Sequence, residues 1–246
     1  MVEQRRYGSL ERSAKPSERP RSLRSLLERL RGSPRLYLAS MSTRPLSTVY
    51  GFDRGQPADR RWIETFLAAN AGAIHGRCLE VESDEYVRHF GGDRVSGVEV
   101  LDSDPQNDGA TITGDLQNLA SVPSAAFDCV VVTQTLQYLV DPRRGVSELY
   151  RILRESGTAL VTVPCLGRVE PGDVVDYWRF MPRGAEALFA DQPWQVQVQA
   201  FGNALLGLAM WTGMAVEDLP ERVWGLDDPA WPCLVGVRAT KASPAP

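Results

Sequence analysis

The sequence predicts an α/β fold, a doubly wound and mostly parallel seven-stranded sheet, with an N-terminal helical extension. Two observations carry this prediction. From residue 57 to residue 163, short β-branched and apolar runs alternate with segments of helical period, the signature of strand–helix–strand units. A late pair, Trp194–Ala200 and Cys233–Ala239, then adds two strands to the first five.

Taken in order, residues 1–20 are rich in Arg, Ser, Glu and Pro and too poor in apolar side chains to order themselves. Within Ser22–Arg31, Leu23, Leu26, Leu27 and Leu30 recur at helical spacing, predicting a short amphipathic helix that Gly32, Ser33 and Pro34 end. Residues 1–45 therefore read as an Arg-rich, partly disordered extension, and 46–246 as the α/β domain. Pro57 suits a first helical turn, and Trp62, Ile63, Phe66 and Leu67 mark one face of a helix ending near Gly72. Strands are predicted at Cys78–Val81, Val95–Leu101 and Ala110–Thr113. Phe127–Thr133 (FDCVVVT) is apolar on both faces, as a central parallel strand must be. Val146, Leu149, Tyr150 and Leu153 predict a helix over Gly145–Arg154, stopped by Gly157, and Ala159–Val163 is the fifth strand. Trp194–Ala200 alternates apolar residues with Gln195, Gln197 and Gln199, a strand with one wet face. A helical stretch Asn203–Ala215 follows, within the apolar run from Phe201 to Val216.

Composition bounds the function. The 246 residues include 27 basic and 31 acidic side chains, for a net charge of −4, with 43% hydrophobic and 24% charged residues. This excludes collagen-like, mucin-like and wholly disordered chains. Residues 1–61 carry 14 basic and 6 acidic side chains, net +8, whereas 62–246 carry 13 and 25, net −12. An acidic body argues against a nucleic-acid partner, since phosphate binding needs a positive surface. No run reaches the ~18 apolar residues of a membrane span, and the N-terminus lacks the apolar core of a secretory signal. Cys78, Cys129, Cys165 and Cys233 form no CxxC pair, and only His75 and His89 are present. The reading is a cytoplasmic protein with no metal site.

In an open parallel sheet, ligands bind beyond the carboxyl ends of the strands. Glu80 lies on the first strand, Glu99 near the end of the second, Asp115 after the third, and Thr133 and Gln134 end the fourth. A carboxylate about 20 residues after the first strand can accept from both hydroxyls of a ribose. Single acids at strand ends are commonly caps; the ordered set is what points to a nucleoside-bearing ligand.

These residues resemble the class I S-adenosylmethionine-dependent methyltransferases, a Rossmann-like fold, from about Tyr50 to Ala239. The resemblance is best over Phe127–Tyr138, then over Glu148–Gly157 with the strand ending at Pro164. Gly51-Phe52-Asp53-Arg54-Gly55 and Asp176-Tyr177-Trp178-Arg179-Phe180 resemble a small bacterial branch often encoded near glycosyltransferases or natural-product genes. The family's acid-x-Gly-x-Gly-x-Gly stretch reads here Glu80-Val81-Glu82-Ser83-Asp84-Glu85-Tyr86, with Glu82 and Asp84 at the first two glycine positions.

The resemblance implies S-adenosylmethionine as cofactor, with Glu80, Glu82 and neighbouring backbone at its methionine part. It places Glu99 at the ribose, Val100 beside the adenine, Asp115 and Leu116 at the adenine edge, and Thr133 and Gln134 near the sulfonium. Gln137, Tyr138, Asp176, Tyr177 and Arg179 are the polar candidates at the substrate mouth; for Tyr177 and Arg179, a packed aromatic with an arginine lid stands beside a role in orienting an anionic or hydroxyl acceptor. The implied activity is methyl transfer to a small molecule, foremost a hydroxyl of a glycoside or secondary metabolite. Glu82 and Asp84 keep open a methyltransferase-fold cyclase or isomerase that transfers no methyl. The Arg-rich arm keeps open a non-catalytic partner subunit. The N-terminal helix or the 201–216 helix offers a homodimer contact.

Overall fold

The computed structural model describes residues 43–170 and 175–242, so the Ser22–Arg31 helix expected from the sequence lies outside the described residues. Pro45–Pro246 form one compact unit. Its strands are β1 (Gly76–Val81), β2 (Val95–Asp102), β3 (Ile112–Thr113), β4 (Phe127–Thr133), β5 (Leu153–Pro164), β6 (Trp194–Phe201) and β7 (Leu234–Lys241), and its helices α1 (Ala58–Ala69), α2 (Pro142–Ile152), α3 (Pro182–Ala187) and α4 (Ala204–Thr212). The sheet order is β3-β2-β1-β4-β5-β7-β6. β1 to β5 run parallel, and β7 is antiparallel to both β5 and β6. The chain order reverses between β1 and β4, which is where a doubly wound sheet opens a crevice.

Both faces are covered. Because side chains alternate along a strand, Val130 and Val132 of β4 face one core with Val146, Leu149 and Ile152 of α2 and Ala185 of α3. Cys129 and Val131 face the other, with Trp62, Ile63, Phe66 and Leu67 of α1 and Leu206 of α4. Cys78, Cys129 and Cys233 are buried, and all four cysteines are free thiols.

The junction of α2 and β5 differs from expectation. The helix predicted over Gly145–Arg154 starts earlier, because the Asp141 carboxylate accepts from the N–H groups of Arg143 and Arg144 and Pro142 fills the first position. It also ends earlier. Ala125 and Ala126 donate to the carbonyls of Arg151 (3.0 Å) and Ile152 (2.7 Å), drawing the chain straight into β5. Leu153 therefore pairs with Phe127 instead of completing a helix face. Gly157 serves a bulge in β5 instead of a helix stop: a Cβ there would stand 2.9 Å from the Arg154 carbonyl oxygen. The helix expected over Asn203–Ala215 is α4, capped by Asn203 and ended by the left-handed Gly213.

Gly236 in β7 is a close-approach point. A Cβ built there would meet the Phe66 ring at 2.5 Å, so α1 sits directly on the β7 backbone. Gly236→Val is expected to destabilise the protein by about 1–3 kcal/mol through overpacking, lowering the melting temperature by roughly 2–4 °C per kcal/mol. Calorimetry of the purified variant checks this, and an unchanged transition would count against the packing described.

Candidate functional site

Beyond the carboxyl ends of β1, β4 and β5 lies a cavity of ≈ 440 Å³. Glu82 after β1, Thr133 and Gln134 at the end of β4, and Pro164 at the end of β5 line it. The segment before α1 contributes Tyr50 and Phe52, the first turn of α1 adds Asp59 and Arg60, the stretch after β5 adds Leu166, Arg168 and Glu170, and Met210 and Met214 close it from α4 and its end. Five described non-glycine residues have positive φ, and three of them, Tyr50 (58°), Glu82 (76°) and Gln134 (49°), line this cavity. Each such conformation costs on the order of 1–3 kcal/mol, and strain held at a cavity marks a functional constraint.

The turn after β1 is built on Glu80. Its side chain is buried, and its carboxylate accepts from the N–H groups of Val87 (2.7 Å) and Tyr86 (3.2 Å). Burial pushes this carboxyl up to about 7 despite those two donors. Glu82 takes the left-handed conformation natural to glycine, so the backbone path of a glycine turn is kept while a carboxylate projects beside the cavity. Asp84 turns away and pairs with Arg88.

At the end of β4, the Gln134 N–H donates to the Thr162 carbonyl (2.9 Å) and the Gln134 carbonyl accepts from Gln137 Nε2 (2.7 Å). Gln134 Nε2 is buried with no hydrogen-bond partner. Burial, with the Glu170 charge, raises the Tyr138 hydroxyl above the ordinary phenol range, so it is a neutral donor in the cavity. Burial likewise raises the Asp59 carboxyl, in the first turn of α1.

The far wall is held by an arginine strut. Arg179 forks onto Asp176 (2.5 and 2.7 Å) and also donates to the carbonyls of Trp178 (2.8 Å) and Arg168 (2.5 Å). This guanidinium keeps the Asp176 carboxyl below its usual range. The Tyr50 hydroxyl donates to Glu170. Tyr177 and Trp178 donate their backbone N–H groups to the Gln137 carbonyl, and the Trp178 indole donates to the Leu139 carbonyl (2.8 Å).

Of the residues singled out from sequence, the cavity brings together Glu82, Thr133, Gln134, Gln137, Tyr138, Asp176 and Arg179. Others lie elsewhere. Glu80 clamps the turn and does not reach the cavity. Glu99 sits within β2 opposite Leu79, paired with Arg77 (2.9 Å) on a separate groove, because the strand runs on to Asp102. Val100 is buried within the same strand, and Leu116 belongs to the core. Asp115 is exposed and accepts from the Gln117 N–H (2.8 Å). Tyr177 is exposed and lies off the cavity. Arg179 is tied up by Asp176, which makes it a wall residue.

The acid at the end of β2 is Asp102. It follows Leu101, the partner of Val81, and so stands beside the turn after β1. Asn107 Nδ2 bonds both the Asp102 carboxylate (2.7 Å) and the Glu82 carbonyl (2.9 Å). Sequence reasoning missed Asp102, Asp59, Tyr50, Arg168 and Glu170; only Asp59 carried a signal, as an acid two residues past a helix-starting proline. Among the described residues no three His, Cys, Asp or Glu side chains group to hold a metal ion.

Residues 65–161 match the family described as a methyltransferase domain. Among solved structures, an S-adenosylmethionine-dependent methyltransferase from Mesorhizobium loti is 16% identical, covering 78% of this chain and 100% of that one, with a TM-score of 0.52. One from Archaeoglobus fulgidus is 12% identical, covering 74% of this chain and 94% of its own, with a TM-score of 0.51. No curated protein matches the sequence. The chain has the fold of the class I S-adenosylmethionine-dependent methyltransferases, and its residues 65–161 are similar to a methyltransferase domain, a match that supports S-adenosylmethionine as the cofactor.

The raised Glu80 carboxyl sets a pH dependence. A folded value of about 7 against an ordinary value of 4.5 means the folded state holds this proton more tightly than the unfolded chain. Its contribution is fully present below pH ~4.5 and is lost as the pH rises through ~7, by up to about 3 kcal/mol. In urea unfolding, the stability difference between wild type and Glu80→Gln is expected to shift across that window in the variant's favour. A difference that stays flat from pH 4.5 to 7.5 would contradict the assignment.

Proposed function

We propose that the protein is an S-adenosylmethionine-dependent methyltransferase acting on a small molecule, foremost at a hydroxyl of a glycoside or secondary metabolite. The observation that supports this is the cavity at the switch point of a class I sheet, which joins carboxylates suited to a cation with a buried amide lacking a partner. The residues present suit the cofactor: Glu82 would meet its ammonium, Thr133 and Gln134 its central part, and Asp102 its ribose diol once Asn107 releases that carboxylate. Bound there, the cofactor supplies a methyl group on a sulfonium centre.

The chain's own work is alignment, dehydration and proton handling. Methyl transfer is an in-line displacement from a cation, so holding the acceptor and excluding water supply most of what is needed. Phe52, Leu166, Met210 and Met214 form the apolar walls. The Tyr138 hydroxyl orients the acceptor, fixed by the Gln137 segment beside it. Asp59, raised by burial, takes the hydroxyl proton; no histidine follows residue 89 to compete for that task.

One observation favours a second reading, a methyltransferase-fold cyclase or isomerase. Asn107 joins the Asp102 carboxylate to the Glu82 carbonyl, across the place a ribose would take. Turnover yielding stoichiometric S-adenosylhomocysteine excludes that reading.

No helix among the described residues is long and apolar enough to cross a membrane. A cytoplasmic location belongs to the same reading, in keeping with four free thiols. So does a homodimer through α4, whose Leu205 and Trp211 stand exposed. The division into a residue 1–45 extension and a 46–246 domain is carried with it.

Calorimetric titration of the purified chain with S-adenosylmethionine and S-adenosylhomocysteine tests the proposal. Binding is expected, with Asp102→Asn weakening S-adenosylhomocysteine by about tenfold, the value of one hydrogen bond to a charged group. Absence of binding by either compound at millimolar concentration would sink it.

A further inference from the structure

We propose that Arg168 binds an anionic group of the substrate, so that the acceptor is a small, partly apolar acid. This rests on the methyltransferase reading of the same cavity and names the substrate class that reading leaves open.

Three guanidinium groups line the cavity, and two are engaged. Arg179 forks onto Asp176, and Arg60 donates to the Tyr86 hydroxyl (2.9 Å). Arg168 lies over the Tyr50 ring, 4.0 Å from its centre, and its Nε is buried with no partner. Among the described residues it donates no hydrogen bond and joins no ion pair. The two carboxylates on its own wall are already committed, Glu170 to the Tyr50 hydroxyl and Asp176 to Arg179.

A partly dehydrated guanidinium without a counter-ion is a standing penalty that a ligand's anionic oxygens relieve. The planar fork matches a carboxylate or phosphate in two parallel hydrogen bonds. Tyr50 makes the fork ready in advance: its ring carries the guanidinium by a cation–π contact, and its hydroxyl is anchored on Glu170. The same cavity is also lined by Tyr50, Leu166, Met210 and Met214, which suits an apolar body attached to the charge.

Position separates this group from the cofactor. Arg168 follows β5, whereas Glu82 follows β1, and β4 lies between those strands. The cavity thus has Glu82 toward β1, while toward β5 the carboxylates Glu170 and Asp176 are committed and the Arg168 guanidinium is the available charge. A cationic donor and an anionic acceptor would enter with their charges sorted.

The test measures binding of 4-hydroxybenzoate, phenyl phosphate and neutral 4-hydroxybenzamide to the full chain by ligand-observed NMR, with S-adenosylhomocysteine titrated in parallel. Wild type is expected to prefer at least one acid over the amide by about tenfold, and the tighter acid tells carboxylate from phosphate. Arg168→Gln should erase the preference and leave S-adenosylhomocysteine affinity unchanged, while Arg168→Lys retains part of it. Thermal unfolding verifies that the variants are folded; if Arg168→Gln is not, the wild-type comparison and Arg168→Lys decide. The proposal is overturned if wild type shows no acid preference or if a folded Arg168→Gln keeps it. It is also overturned if S-adenosylhomocysteine affinity falls with Arg168→Gln, which would assign the arginine to the cofactor's own carboxylate. Acid preference in a wild type that binds no S-adenosylhomocysteine upholds the proposal and defeats the methyltransferase reading instead.

Discussion

The site is organised around one buried carboxylate. Glu80 ends its side chain against the N–H groups of Tyr86 and Val87, and this pair of bonds returns the chain to the sheet after β1. A turn built on three glycines needs little such help, because bare backbone folds back freely. Here the first two glycine positions hold Glu82 and Asp84, so the turn depends on a side-chain clamp and on a left-handed residue that is not glycine. The hydrogen bonds favour ionised Glu80 and burial opposes it. Burial wins, leaving a group that titrates near neutrality instead of near 4.5.

The same accounting explains the far wall. Asp176 has 3% of its side chain exposed and would be expensive to bury alone, but Arg179 supplies a fork and keeps it ionised. That commitment removes Arg179 from any role with a ligand and fixes the loop that holds Arg168. The Tyr50–Glu170 bond does likewise on the other side. Pairing is therefore what distinguishes the structural charges from the available ones: Arg77–Glu99, Asp84–Arg88 and Asp176–Arg179 are closed pairs.

Much of the fold was legible in the sequence because the relevant signals are local. Phe127–Thr133 reads as a two-sided buried strand and is one, and Trp62, Ile63, Phe66 and Leu67 read as a helix face and pack as one. The end of α2 was not legible, since Leu153 continues the helical period. What stops that helix is long-range, the N–H groups of Ala125 and Ala126 taking the last carbonyls. Glu99 and Asp102 show the same limit at the site. Both are acids near the end of one apolar run, and only pairing of Val81 with Leu101 settles which of them stands beside the β1 turn. Arg168 carried no signal because its meaning lies in what its guanidinium lacks among the described residues, a hydrogen-bond or ion-pair partner.

The two non-glycine residues after β1 thus have separate consequences. Asp84 is closed off by Arg88 four residues later, a surface pair that changes little in the cavity. Glu82 keeps the glycine backbone path, so its Cβ does not by itself deny a ligand the turn. What stands across that approach is Asn107, reaching from beyond β2 to the Glu82 carbonyl and the Asp102 carboxylate at once. Both of its bonds are to groups near the surface, where water can replace them at a net loss of about 1–3 kcal/mol. A ribose diol offers Asp102 two donors in place of one, so displacing Asn107 is within the reach of ordinary binding energy. Access to the cleft accordingly turns on an amide that can move, and the altered glycine positions weigh less.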